Sequence, residues 1–197
     1  MAKVYVAVTG GIGSGKSLVL QFLQKLNYPV FSCDELYKQV IQSEAYVKTL
    51  QCFFPEAVES GKVDRQRLSK IVFQDQEKLK QLNALAHPLI MDLLMSKMKE
   101  VDGDIVFAEV PLLFEGNFEK LFQHVIYITR DKQERIASIL MRDGISINEA
   151  EKRIASQFDG TSEEGQKRLK ACNAKIILNN GSIEEIEGKI LEILNTL

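Results

Sequence analysis

A chain of 197 residues is long enough for one α/β domain with insertions and too short for two independent hydrophobic cores. Its 45% hydrophobic and 26% charged residues are ordinary for a globular protein, and 25 basic against 27 acidic side chains leave a net charge of −2. No basic field for duplex nucleic acid follows from that balance, so nucleic-acid partners are not expected. Cys33, Cys52 and Cys172 are odd in number and show no metal-ligand spacing. No signal-peptide pattern opens the chain, and no apolar run approaches the roughly 20 residues that span a bilayer. The expectation is a cytoplasmic protein with no membrane partner.

The first predicted strand covers 4–8, a short, mostly β-branched apolar run of the kind a buried parallel strand needs. It leads into GGIGSGKS (10–17), which fits GxxxxGK[ST]. Glycines at 10, 11, 13 and 15 let the backbone turn its N–H groups inward onto phosphate oxygens. The loop therefore nominates Gly11, Ile12, Gly13, Ser14, Gly15, Lys16 and Ser17 as nucleotide-binding residues. Lys16 can reach the β- and γ-phosphates and the Ser17 hydroxyl can ligate Mg²⁺. Val19, Leu20, Phe22, Leu23 and Leu26 then recur at helical spacing, so the loop opens a helix whose dipole favours an anion.

After a turn at Pro29, residues 30–33 read as a second strand ending at Asp34, where ligands of doubly wound sheets collect. From 35 to about 100 the pattern is helical and strand-poor. A turn at 61–64 places Asp64 as a helix cap, and a long helix from about 76 is expected to break or kink at His87-Pro88. So much helix between two strands exceeds a plain crossover and suggests a cap over the binding edge. A third strand covers 105–110 and a fourth 125–128, with helices at about 132–141, 148–158 and 163–171. A fifth strand, 175–178, ends at Asn179, and the last helix begins at about 183 with Glu184 and Glu185 in its first turn. Alternating strands and helices predict a five-stranded, mostly parallel sheet covered on both faces, a three-layer α/β phosphate-loop fold.

A guanine-reading NKxD is absent, which argues against a GTPase switch. The third strand ends in Glu109-Val110-Pro111 and lacks the adjacent acids of an ATP-driven motor. A small chain with two helical pieces suggests a kinase that closes over its substrates to exclude water.

GGIGSGKS, Asp34, DRQRL (64–68), LNALAHP (82–88), VPLLFE (110–115), MRDG (141–144) and ILNNGS (177–182) occur in an order that resembles the dephospho-CoA kinase family over essentially the whole length. The resemblance implies transfer of the γ-phosphoryl of ATP to the ribose 3′-hydroxyl of dephospho-CoA, with Mg²⁺, by a monomer or weak homo-oligomer. It implies Asp34 as general base or orienter of that hydroxyl, His87 and Glu109 in the acceptor region, Arg142 as a lid cation and Asn179 near the adenine end of the ATP site. Where the family carries a second acid and a further lid arginine, this chain has Ser32 and Ser138, with Arg135 one turn away. Asn173-Ala174 stands in place of an alanine-acid pair. The organisation implied is a single domain over 1–197, with a core at about 1–33, 103–141 and 172–197, a helical acceptor-binding insertion at about 34–102 and a lid at about 142–171. The alternatives are a kinase of another small hydroxyl or nucleotide acceptor, and a nucleotide-binding regulator without turnover.

Overall fold

The computed structural model describes residues 3–197. Two compact units emerge from the contacts, one made of 1–31 and 101–197 and the other of 32–100.

The first unit is built on strand β1 (Val4–Thr9), helix α1 (Lys16–Lys25) and strand β2 (Val30–Ser32). The chain returns to it with strands β5 (Ile105–Glu109) and β6 (His124–Thr129), helices α6 (Lys132–Asp143), α7 (Ile147–Ala155) and α8 (Glu163–Ala171), strand β7 (Lys175–Leu178) and helix α9 (Ile183–Leu194). The five strands form one parallel sheet in the order β2-β5-β1-β6-β7, so β1 sits in the middle. It pairs with β5 from Val4 opposite Ile105 to Val8 opposite Glu109, and with β6 from Val6 opposite His124 to Thr9 opposite Tyr127. Val6, Ala7 and Val8 in β1 and Val106, Phe107 and Ala108 in β5 are fully buried in succession. Consecutive burial on both pleat faces is what helices on both sides of a parallel sheet produce.

On one face, Val6, Val8, Phe107, Ile126, Ile128 and Ile177 pack with Val19 and Leu23 of α1 and Ile186 and Ile190 of α9. Each large apolar side chain buried there contributes about 1.5–3 kcal/mol. α9 starts where its acids suggested, with the Ser182 hydroxyl accepting from Glu185 N–H.

The second unit holds helices α2 (Cys33–Val40) and α3 (Glu44–Phe53), strands β3 (Val58–Glu59) and β4 (Lys62–Val63), and helices α4 (Arg65–Phe73) and α5 (Gln76–Glu100). α5 packs against α2, α3 and α4. Asp64 caps α4 as its position suggested, accepting from the Gln66 and Arg67 N–H groups.

Several boundaries differ from the sequence expectation. β2 stops at Ser32 and α2 begins at Cys33, so Asp34 lies in the first turn of a helix instead of at a strand end. Cys33, Leu36 and Val40 are buried at helical spacing, and their burial draws Cys33 into α2. The turn near Gly61 is the tip of a small antiparallel hairpin, with Ser60 (φ 51°) and Gly61 (φ 72°) both left-handed, as a two-residue hairpin loop requires. α6 runs through Arg142 and ends at Gly144 in the left-handed conformation, while α7 ends three residues short of Phe158.

A further difference is that α5 continues through Pro88. An interior proline costs about 3 kcal/mol. Leu82 and Ala86 before it and Ile90, Met91 and Leu94 after it are all buried, and at about 1.5–3 kcal/mol per large side chain they outweigh that cost. Among the described residues no helix is long and apolar enough to cross a membrane.

Candidate active site

The glycine-rich loop leaves the carboxyl end of the central strand and delivers its last residues into α1. Gly10, Gly13 and Gly15 take positive φ angles of 151°, 75° and 90°. Gly15 occupies the cap position of α1, and a Cβ there would overlap the Asn179 amide, so a glycine is needed both for φ and for space. Lys16 Nζ donates to the carbonyls of Gly10 at 2.8 Å and Gly11 at 3.2 Å, which places the ammonium across the mouth of the loop. Ser17 follows it, exposed in the first turn of α1.

Side chains from distant segments hold the loop in this form. Asn179 Nδ2 donates to the Ser14 carbonyl at 2.8 Å, and both residues are buried. Arg135 Nε donates to the Ile12 carbonyl at 2.9 Å, and its guanidinium lies against Gly11, where a Cβ would overlap it. Burial lowers the Arg135 pKa, with Tyr127 and Asp159 pulling it back upward. Arginine is charged in any case near neutral pH, so a half-buried cation rests on the phosphate loop. Ile12 N–H donates to Gln157 Oε1 at 2.6 Å. The strand ends beyond the loop are also tied together: Asn179 N–H donates to the Thr129 carbonyl and Asp131 N–H to Asn180 Oδ1.

Arg142 lies elsewhere. It sits in the last turn of α6 in a two-pronged ion pair with Asp143, at 2.7 and 3.0 Å, and Arg153 adds a third bond to the same carboxylate. These partners hold the Asp143 carboxyl below its ordinary pKa, chiefly through the Arg142 hydrogen bond. At the end of β6, Arg130 donates to Ser138 Oγ at 2.8 Å and to Glu134 at 3.1 Å. Glu109 closes β5 in register with Val8. In the other unit, Asp34 is exposed on the first turn of α2, and His87 is half-buried in α5 with its pKa lowered by burial.

The structure thus brings Gly11 to Ser17, Arg135, Gln157 and Asn179 together. Arg135 was visible in the sequence only as a cation one turn from Ser138. Gln157 carried no signal, because residues 148–158 read as uninterrupted helix. The resemblance puts Asn179 near the adenine end of the ATP site, and in the structure its amide clamps the loop at Ser14. We expect Asn179→Ala to cost about 1–3 kcal/mol of stability, the penalty for leaving a buried carbonyl unpaired. A urea unfolding curve that superimposes on wild type would count against this clamp.

The donor set fits a magnesium nucleotide. Mg²⁺ keeps several waters and takes substrate phosphates as ligands, needing little from the protein beyond an accessible oxygen such as the Ser17 hydroxyl.

The dephospho-CoA kinase family model matches residues 4–185. A dephospho-CoA kinase of Thermus thermophilus is 34% identical over 194 residues, covering 98% of this chain and 92% of the relative. A crystal structure of a Thermus thermophilus protein superimposes with a TM-score of 0.82 at 34% identity, covering 100% of this chain and 99% of the other. The dephospho-CoA kinase of Campylobacter jejuni gives a TM-score of 0.62 at 25% identity, covering 98% and 97%. With a phosphate loop on the central strand and a family match across nearly its whole length, the chain belongs to the dephospho-CoA kinase family.

Proposed function

We propose that the chain transfers the γ-phosphoryl group of ATP to the ribose 3′-hydroxyl of dephospho-CoA, giving CoA and ADP, the last step of coenzyme A synthesis. The observation that carries this reading is the glycine loop with Lys16 bonded across its mouth, in a chain whose family match runs from 4 to 185.

Phosphoryl transfer asks little covalent chemistry of a protein, so positioning and charge neutralisation dominate. The amides of Gly11 to Ser17 and the N-terminus of α1 receive the phosphates. Lys16 neutralises charge on the β- and γ-oxygens, and Arg135, resting on Gly11 and Ile12, is a further cation beside the loop. Arg142 is assigned as the lid cation, reaching the nucleotide by exchanging its bond to Asp143. The Ser17 hydroxyl would hold Mg²⁺ together with the substrate phosphates, and the ion would supply further charge neutralisation. Asn179 is assigned to the adenine end of the ATP site, and its amide also clamps the loop at Ser14.

On the acceptor side, Asp34 orients the 3′-hydroxyl and takes its proton late in transfer, as a carboxylate can. His87 and Glu109 are assigned to acceptor binding, with 34–102 as the acceptor-binding insertion and 142–171 as the lid. Cys33, Cys52 and Cys172 stand as reduced cysteines, which suits the reducing cytoplasm.

The deciding experiment is an assay of ADP release with dephospho-CoA and, separately, a panel of nucleosides and nucleotides. Release that depends on dephospho-CoA is expected. Release only with panel members, or tight ATP binding with no acceptor-dependent release, would overturn the reading.

Two variants test the roles. Arg135→Gln is expected to lower kcat by about 10²-fold, the scale of losing one preorganised charge stabiliser, and by more than Arg142→Gln does. The reverse order would make Arg142 the principal cation. Asp34→Asn is expected to leave ATP affinity close to wild type and lower kcat. A change confined to the KM for dephospho-CoA would make Asp34 a binding residue.

A further inference from the structure

Ile12, at the outer bend of the phosphate loop, has both backbone polar groups taken by side chains from other segments. Arg135 donates to its carbonyl, and its N–H donates to Gln157 Oε1 at 2.6 Å. Gln157 lies two residues beyond the end of α7, in a segment that is itself fastened. Phe158 N–H donates to Glu115 Oε1 at 2.8 Å and Gly160 N–H to the Tyr127 hydroxyl at 3.2 Å. The Phe158 ring stacks on Phe114 with centroids 4.1 Å apart, and Arg168 lies over both rings. The amide is therefore delivered to the loop by a supported backbone and does not dangle from a surface turn.

Its place also has a direction. Gln157 lines a narrow cavity together with Thr9, Gly10, Gly11, Glu115 and Tyr127. The Lys16 ammonium bonds to the carbonyls of Gly10 and Gly11, and a phosphate-loop lysine serves the β- and γ-phosphates. This end of the loop is thus the terminal-phosphate end, away from the α1 amides. A carboxamide is planar and carries its acceptor and its donors on opposite sides of one carbon. With Oε1 committed to Ile12, the NH₂ group is the part of the amide left to donate to a ligand at this end of the loop.

We propose that Gln157 reads the γ-phosphate: its Oε1 pins Ile12 while its Nε2 donates to an oxygen of the terminal phosphoryl group, so that the site distinguishes ATP from ADP. This rests on the reading above that the loop binds ATP. Gln157 then acts at the transferring group itself, and the loop between α7 and α8 senses which nucleotide is present.

Gln157→Glu separates the two halves of the amide. It keeps an acceptor for Ile12 N–H and replaces the donor with a charged oxygen facing the γ-phosphate. Calorimetric titration with a non-hydrolysable ATP analogue and with ADP, in magnesium and without acceptor, is expected to show the analogue weakened at least about tenfold and ADP within about twofold, as charge-assisted hydrogen bonds allow. Equal weakening of both nucleotides, or of neither, overturns the proposal and leaves the kinase reading standing. Gln157→Met, of similar length and with neither donor nor acceptor, is the second variant should the first fail to fold. It is expected to weaken both nucleotides through the released Ile12, but the analogue more, and an equal loss again overturns the proposal. Wild-type protein that binds neither nucleotide would instead overturn the functional reading itself.

Discussion

Lys16→Ala lowers kcat by at least about 10²-fold, because it removes the cation that stabilises charge on the β- and γ-phosphates in a site where little else can replace it. The ammonium spans the loop, bonded to the Gly10 and Gly11 carbonyls, so its place is set before a substrate is present. Such preorganisation is what makes a fixed charge effective in the transition state. Replacing it with alanine also frees two carbonyls of the loop, so ATP affinity falls along with turnover. Steady-state ADP release, with a folded baseline established by circular dichroism, measures the effect. A kcat within a few-fold of wild type would show that the loop does not hold the transferring phosphate.

The second large effect is on the loop's foundation. Gly10 lies at the exit of β1 with φ 151°, and a Cβ added there would overlap the Ile128 carbonyl oxygen in β6 and crowd the Ser14 hydroxyl at 2.9 Å. The first obstacle is backbone within a paired strand and cannot turn aside like a flexible side chain. Gly10→Ala is expected to destabilise the protein by about 1–3 kcal/mol, the usual cost of overpacking. For a chain of this size that is a fall in Tm of about 2–4 °C per kcal/mol. Ile128 belongs to the cluster joining β1, β6, α1 and α9, so strain at Gly10 enters the core and the nucleotide site together. An unchanged melting curve with unchanged ATP affinity would mean that β1 and β6 are not held this closely at the loop.

Local patterns located the sheet well. The strands at 105–110, 125–128 and 175–178 and the helices from 163 and 183 follow from short apolar runs, 3.6-residue spacing and caps that act over three or four residues. The turn at Gly61 was legible, but the two-residue strands beside it were too short to leave a pattern. At Pro88 and Cys33 the local signal was real and was overridden by burial elsewhere along the same helix.

The site divides in the same way. Sequence alone determined the phosphate loop and the strand and helix on either side of it, because the requirement for glycine, lysine and a hydroxyl at set spacing is met within eight consecutive residues. It determined the family too, through motifs spread along the chain. Only the tertiary structure decided what supports the loop. Asn179 lies beneath Ser14, Arg135 and Gln157 grip Ile12, and Arg142 remains with Asp143. The loop's partners are more than a hundred residues from it in sequence and meet it only because parallel pairing sets β6 beside β1 and β7 beside β6. A hydrogen bond between such distant residues has no spacing to read, and it comes into being when the sheet closes.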